Sequence, residues 1–86
     1  MHQIKPGDIV KHFKKDYCTD KEYVYKVLYI ATDCDTEKQC VVYKEFYGDR
    51  IFVRDYQEFV SKISKKLYPL AKQEYRFEVI GHCSVF

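Results

Sequence analysis

The sequence predicts a mainly β protein, a β-rich α+β fold: a small antiparallel curled sheet or open barrel of about five strands, with one short helix after the fourth strand. Three observations lead to this prediction. Apolar runs of strand length recur along almost the whole chain. Turn-forming residues such as Pro6-Gly7-Asp8 and Gly48-Asp49 separate these runs. A single stretch, which follows residue 54, has helical spacing instead.

The first two strands differ in how deeply we expect them to lie. Ile9 to Phe13 alternates between two faces and predicts the first strand. Residues 16 to 22 are polar and predict a loop. Tyr23 to Thr32 is the longest candidate strand, and both of its faces are largely apolar. It should therefore be central in the sheet and covered on both sides for part of its length.

The third and fourth strands are predicted to form a hairpin. A polar tip from Asp33 to Lys38 reverses the chain, and Gln39 to Tyr47 follows as the third strand. Gly48-Asp49 predicts a two-residue type II′ turn, because glycine in the first central position supplies the required positive φ. Ile51 to Arg54 then returns as the fourth strand, and such a turn would pair Tyr43 with Arg54.

A helix and a closing strand complete the prediction. Asp55 can cap a helix, with Glu58 three residues later as in a capping box. Pro69 should end that helix. Its buried stripe is predicted at Tyr56, Phe59, Val60, Ile63 and Leu67. Tyr75 to Ile80 is the expected fifth strand. Two of its side chains should face the core, those of Phe77 and Val79.

Length and charge restrict the classes of protein to consider. A chain of 86 residues predicts one domain, spanning residues 1–86, because it is too short for a second core. The formal charge of +2 argues against the strongly basic surface of a duplex-DNA binder. Nine tyrosines and six phenylalanines favour a core built from large rings, and a tyrosine near an edge can also serve a ligand.

The sequence predicts a cytoplasmic protein without a membrane segment. No apolar run resembles a secretory leader, and none approaches the roughly 20 apolar residues that cross a bilayer. In that compartment the four cysteines should be reduced thiols: Cys18, Cys34, Cys40 and Cys83. Their spacing contains no Cys-x-x-Cys pair, so we expect neither a metal site nor a cofactor.

Short motifs distributed over nearly the whole chain resemble those of a known family. They are Gly7-Asp8-Ile9-Val10-Lys11-His12-Phe13-Lys14, Tyr25-Lys26-Val27, Thr36-Glu37, Val41-Val42-Tyr43, Tyr47-Gly48-Asp49, Val53-Arg54, Phe59 and Arg76-Phe77. In this order they resemble a group of small bacterial and phage domains that carries only a domain-of-unknown-function label. Phe52 and Asp55 depart from that pattern, which commonly has Trp and Pro there, and the turn before Thr36 lacks a His. The resemblance supports the fold and implies no activity.

A candidate ligand site follows from strand parity. On the predicted register, side chains of the third strand lie on the same side of the sheet as Arg50, Phe52 and Arg54. Rings can stack on a flat ligand, and a guanidinium group can hold an anionic one. His12 on the first strand could face the same surface. The predicted ligand-binding residues are His12, Tyr43, Glu45, Tyr47, Phe52 and Arg54.

Several interpretations of this surface stay open. Glu45 could simply neutralise Arg50 or Arg54 while Tyr43 and Phe52 cover the sheet. The functional interpretation that we favour is a non-enzymatic module for a nucleotide-like or phosphorylated small ligand. The alternative is a module that binds single-stranded nucleic acid or a protein.

An enzyme is the weakest interpretation, and no catalytic residues are predicted. A small hydrolase could use Asp49 or Glu45 with His12, but no nucleophile–His–Asp spacing or phosphate-binding glycine loop is recognisable. A homodimer is also predicted, because a short sheet has exposed edges that a second copy can cover.

Overall fold

The computed structural model describes residues 3–13, 23–70 and 73–82, which form one open antiparallel sheet with a short helix. The elements in chain order are β1 (Asp8–His12), β2 (Val24–Thr32), β3 (Gln39–Glu45), β4 (Ile51–Asp55), α1 (Tyr56–Phe59) and β5 (Phe77–His82). The strand order is β4-β3-β2-β1-β5, so β2 is the central strand. The predicted class, the five strands and the place of the helix are confirmed.

The sheet curls strongly around one of its faces, which we call the inner face. In a flat five-stranded sheet the two edge strands lie about 19 Å apart, at four strand spacings. Here the guanidinium carbon of Arg54 on edge strand β4 lies 5.7 Å from the ring centre of Phe77 on edge strand β5. Side chains from opposite edges therefore meet across the inner face, as a curled sheet allows.

The core fills the space inside this curl. Each of the three central strands contributes a valine with no solvent exposure, namely Val10, Val27 and Val41. Phe59 of α1 covers them and stacks on Phe77, with ring centres 3.9 Å apart and planes 3° from parallel. Complete burial of a Phe or Val side chain contributes about 1.5–3 kcal/mol each. The single helix thus closes the core that the sheet alone leaves open.

The N-terminus of α1 is capped as predicted. The Asp55 Oδ2 atom accepts a hydrogen bond from the Glu58 backbone N–H at 3.2 Å. The Glu58 carboxylate does not point back to complete a capping box, because it accepts from Arg54 Nη1 at 2.6 Å. The cap is therefore formed within the first turn of α1, while the Glu58 carboxylate pairs with Arg54 of β4.

The helix is much shorter than the apolar stripe predicted. It ends at Phe59, because the following segment pairs with the chain that leads into β5. The Ile63 N–H donates to the Glu74 carbonyl at 3.0 Å, and a β-bridge joins Lys62 to Tyr75. The predicted burial is confirmed for Phe59 and wrong for Leu67, which is 72% exposed. Ile63 is buried in a second small cluster with Phe13 and Tyr68.

The register of the β3–β4 hairpin differs from the prediction by two residues. Tyr43 pairs with Phe52, not with Arg54, and the Glu45 N–H donates to the Arg50 carbonyl at 3.0 Å. Residues 46–49 therefore form a four-residue loop in place of the two-residue turn. A positive φ is found at Gly7 (93°) and not at Gly48, so the type II′ assignment was wrong. A shift of two residues leaves the side chains of both strands on their predicted faces, whereas Phe46 and Tyr47 lie in the loop and not in the third strand.

β5 starts inward and then becomes an exposed edge. Phe77 is buried as predicted, and Val79 pairs with Val10 on the same inner face, but at the edge of the sheet Val79 stays 43% exposed. The β1–β5 register is irregular: Ile9 pairs with Gly81 and Val10 with Val79, so Ile80 is extra. Such a bulge twists the strand, and no further strand lies beside β5 in the described sheet to cover Val79.

Two alanine substitutions test the position at which the helical stripe ends. Phe59→Ala should destabilise the protein by about 3–5 kcal/mol, because it empties the site between α1 and β5. Leu67→Ala should change the free energy of unfolding by less than about 0.5 kcal/mol, because this leucine is exposed. Urea denaturation followed by circular dichroism measures both values. A comparable loss for Leu67→Ala would mean that the helix extends to residue 67.

Candidate functional site

The hairpin brings three of the predicted site residues into direct contact on the inner face. The ring centres of Tyr43 and Phe52 lie 5.6 Å apart. The Arg54 Nε–H donates to the Tyr43 hydroxyl at 3.3 Å. These contacts arise because Tyr43 and Phe52 are cross-strand partners, while Arg54 is two residues further along β4 on the same face.

Tyr43 is a core residue, with 4% of its surface exposed. Its ring meets Tyr25, Phe59 and Phe77 nearly edge-on, at 5.1–5.6 Å between ring centres. A ligand therefore has no open Tyr43 face on which to stack in this structure. The tyrosine contributes through its hydroxyl, which accepts the hydrogen bond that orients Arg54.

Arg54 is held from two sides and is still partly accessible. Besides Tyr43, it contacts the Glu58 carboxylate at 2.6 Å, and 29% of its side chain is exposed. Partial burial lowers the pKa of Arg54, but the hydrogen bond to Tyr43 and the nearby Glu58 carboxylate outweigh it, so the pKa is raised. The guanidinium group therefore stays charged, and it has an exposed carboxylate as its neighbour.

Arg50 and Glu45 form a cross-strand ion pair. The sequence analysis gave such a pair as the alternative to a ligand site. Arg50 Nη2 donates to Glu45 Oε2 at 3.0 Å, and Arg50 Nε donates to Oε1 at 3.2 Å. The Arg50 guanidinium also lies over the Phe52 ring, 5.5 Å from its centre. The hydrogen bonds from Arg50 lower the pKa of Glu45 below its ordinary value. Arg50 is 76% exposed and can be reached from solvent.

Gly48 makes room for the Glu45 carboxylate. A Cβ atom at position 48 would lie 2.6 Å from Glu45 Oε1, which is closer than any van der Waals contact. The glycine in the loop is therefore explained by the space that the carboxylate needs. This requirement depends on the fold of the loop, so the sequence pattern could not show it.

Two predicted site residues lie away from these contacts. His12 is 7% exposed on the inner face of β1, where its ring is 4.9 Å from Phe77 and 4.5 Å from Phe13. Tyr47 is 61% exposed in the hairpin loop, where its ring is 4.9 Å from that of Phe46. The structure thus groups Tyr43, Glu45, Phe52 and Arg54 on the hairpin, and it places His12 in the core and Tyr47 in the loop.

The accessible part of this region is a rim that we call the arginine rim: Tyr25, Arg50, Phe52 and Arg54. Phe52 and Tyr25 are half-buried, with ring centres 6.0 Å apart. Burial, followed by the neighbouring Tyr43, raises the pKa of Tyr25, so its hydroxyl remains a donor. The prediction omitted Tyr25 and Arg50 from the site. Strand parity could have included Tyr25, because it pairs with Glu45 across β2 and β3.

A group of three potential metal ligands also occurs in the described part of the chain. Asp33, Cys34 and Asp35 place potential metal-ligating atoms within 4.8 Å of one another, and all three residues are exposed. Asp33 Oδ1 accepts hydrogen bonds from the N–H groups of Asp35 and Thr36, which lowers the pKa of Asp33. This turn accounts for the arrangement by itself. Among the described residues, no helix has the length and apolar character needed to cross a membrane.

The Arg50–Glu45 pair predicts a specific titration. An NMR pH titration should give Glu45 a pKa below the ordinary glutamate value, and Arg50→Gln should return it towards that value. The stabilisation from this pair should be present above the unfolded-state pKa and lost as the pH falls through the depressed folded-state pKa. Gly48→Ala should shift the Glu45 pKa in the same direction as Arg50→Gln. An unchanged Glu45 pKa in both variants would contradict the geometry.

Comparison with known proteins places the chain in a family. Residues 8–79 match a family model described as a protein of unknown function (DUF1653), from the first residue of β1 into β5. The match confirms the resemblance to a domain-of-unknown-function family. Neither the curated proteins nor the solved structures gave a match. With the family model covering the sheet and the helix, the chain belongs to the family of proteins of unknown function DUF1653.

Proposed function

We propose that this protein is a non-enzymatic small binding module whose arginine rim binds a nucleotide-like or phosphorylated small ligand. One observation carries the proposal: Arg50, just before β4, and Arg54, within it, flank the half-buried Phe52 along the strand and lie on the same face of the sheet. Arg50 lies over the Phe52 ring, and Arg54 is hydrogen-bonded to the tyrosine that contacts it. The proposal includes the cytoplasmic location expected from the sequence, in which the cysteines would be reduced thiols.

The existing ion pairs do not prevent such binding. Both arginines pair with glutamates near the surface, Arg50 with Glu45 and Arg54 with Glu58. Ion pairs this close to solvent contribute little to the free energy of unfolding, so a ligand can displace the glutamate at little cost. A phosphate group would accept charge-assisted, two-pronged hydrogen bonds from a guanidinium in its place. Only an anion that binds the arginine more tightly than its glutamate does would then displace that glutamate.

The proposed roles differ from those expected from the sequence. Phe52 would contact a ring of the ligand along its exposed edge, while Arg50 and Arg54 would hold the anionic group. Tyr43 would position Arg54 through its hydroxyl without touching the ligand. Glu45 would position Arg50 until the ligand replaces it. His12 and Tyr47 have no part in this version of the site.

The geometry also supports the non-enzymatic form of the proposal. A hydrolase would require Glu45 or Asp49 to act with His12. Glu45 is bound by Arg50, which lowers its pKa and keeps it ionised, so it is a poor proton donor. His12 lies on β1 among the aromatic rings of the core. The two groups thus occupy different environments.

Binding to a macromolecule is the second candidate, and one observation favours it. Phe46 and Tyr47 are 45% and 61% exposed side by side in the hairpin loop, next to the arginine rim. Exposed rings beside arginines suit unstacked bases or the side chains of a protein partner. A single-stranded nucleic acid would bind with a steep dependence on salt, because several phosphates must be neutralised.

The first test is native mass spectrometry of the purified protein with and without a mixture of nucleotides and cyclic nucleotides. We expect an adduct whose mass identifies the ligand class, with an affinity that changes only modestly between low and high salt. A steep loss of affinity with salt would favour a polyanion. A bare spectrum under all conditions would remove the small-ligand proposal.

Variants then test the rim against a matched control. Arg50→Ala and Arg54→Ala should each abolish the adduct and leave the far-UV circular dichroism unchanged. Lys62 is the control, because it also pairs with a glutamate, Glu74, and lies over an aromatic ring, that of Tyr75. Lys62→Ala should bind as the parent does. If Arg54→Ala unfolds the protein, Arg54 is purely structural, and equal losses in all three variants would indicate nonspecific charge effects.

A further inference from the structure

We propose that two copies of this chain associate through their β4 strands, antiparallel and with a two-fold axis at Val53, so that the two sheets become continuous. The inference concerns a partner and an interface, and it does not depend on the proposed ligand. It gives a place and a register to the homodimer expected from the sequence.

The backbone of β4 is prepared for another strand. β4 is the last strand on its side of the described sheet. The Glu45–Arg50 backbone hydrogen bond identifies Arg50 as facing β3, and hydrogen-bonded and non-hydrogen-bonded positions alternate along an antiparallel pair. The N–H and C=O groups of Ile51 and Val53 therefore point away from β3, toward the free edge, and so does the N–H of Asp55. The Asp55 carbonyl is the N-cap acceptor of α1, so a second strand could use the groups of Ile51 and Val53 and the N–H of Asp55.

The side chains of Ile51 and Val53 are apolar and exposed where a second copy would lie. Ile51 is 59% exposed and Val53 is 66% exposed, on the face opposite the core. Val53 ends a row that crosses the sheet through Val42 to Tyr29, which is 62% exposed. A second copy placed across Val53 would extend this row into one continuous apolar band, shielding part of it from water.

The two-fold register places no like charges opposite each other. With Val53 opposite itself, Ile51 of one copy faces Asp55 of the other. Ile51 pairs with Lys44 on β3 within its own copy. In the dimer, Lys44 of one copy and Asp55 of the other would therefore lie on either side of Ile51. On the inner face, Phe52 of one copy would lie opposite Arg54 of the other, so the dimer would bring the two arginine rims next to each other.

The opposite edge of the sheet is a poorer candidate. β5 carries the bulge at Ile80, and its register to β1 is irregular there. Bulges are one way in which natural proteins keep an edge strand from pairing with another chain. β4 contains no bulge, proline or lysine, and its five residues pair regularly with β3. The contrast between the two edges selects β4.

Sedimentation analysis over a wide concentration series tests the association. A five-residue edge pairing belongs to the small-interface class, below about 1,200 Å², so we expect a reversible dimer in the micromolar range. Val53→Lys places a charge on the free edge and should leave a monomer at every concentration. Ile80→Lys is the matched control, because Ile80 is a 54%-exposed aliphatic residue on the other edge strand, and it should dimerise as the parent does.

The outcomes are distinct from those of the ligand test. Val53 is exposed, so Val53→Lys should keep the parent's circular dichroism and, at concentrations well below those at which the parent dimerises, its thermal midpoint. A parent protein that stays monomeric at all concentrations overturns the proposal. A dimer that survives Val53→Lys, or one that only Ile80→Lys disrupts, overturns it too. Ligand binding by the monomeric Val53→Lys variant would leave the proposed function intact.

A cross-link tests the register itself. Facing residues of a hydrogen-bonded antiparallel pair have Cα atoms about 5.5 Å apart, within the range that a disulfide spans. Oxidised Val53→Cys should therefore yield a peptide in which residue 53 is linked to itself, identified by mass spectrometry. The oxidised parent shows any links through the native cysteines. A dimeric Val53→Cys protein without the 53–53 link would exclude the two-fold axis at Val53.

Discussion

The stacking of Phe59 on Phe77 is the contact on which the rest of this structure depends. Phe59 follows edge strand β4 through α1, and Phe77 begins edge strand β5, so the pair joins the two ends of the sheet. An antiparallel sheet of this size is open by itself and exposes both of its faces. The ring pair holds the sheet in its curled form, and the valines of the three central strands become completely buried beneath it.

The arginine rim is a consequence of this closure. Because the curl draws Tyr43 into the core, its ring is occupied by Phe59 and Phe77, and its hydroxyl is left to orient Arg54. The side chains further from the core stay accessible, and there Arg50 pairs with Glu45 above Phe52. Cross-strand packing and the proposed binding surface are therefore compatible, because the packing contacts hold the arginines that a ligand would use.

The small size of the domain also explains why the outer face of the sheet is exposed. A small domain has one helix-covered layer and cannot also cover the opposite side of its sheet. Tyr29, Ile51 and Val53 consequently remain exposed on that side. The β4 edge adjoins this apolar surface and has no further strand beside it in the described sheet, and the proposed second copy would cover both.

The sequence by itself determined the five strands, the order of elements, the Asp55 cap and the faces of the side chains in β3 and β4. These features depend on period-two alternation and local capping, and even a two-residue register error preserves the faces. Only the tertiary structure decided the four-residue loop at Gly48, the short helix, and the exposure of Leu67 and Val79. It also decided that Tyr43 is buried. Each of these depends on long-range contacts, such as Ile63 with Glu74 and Phe59 with Phe77, which local spacing does not encode.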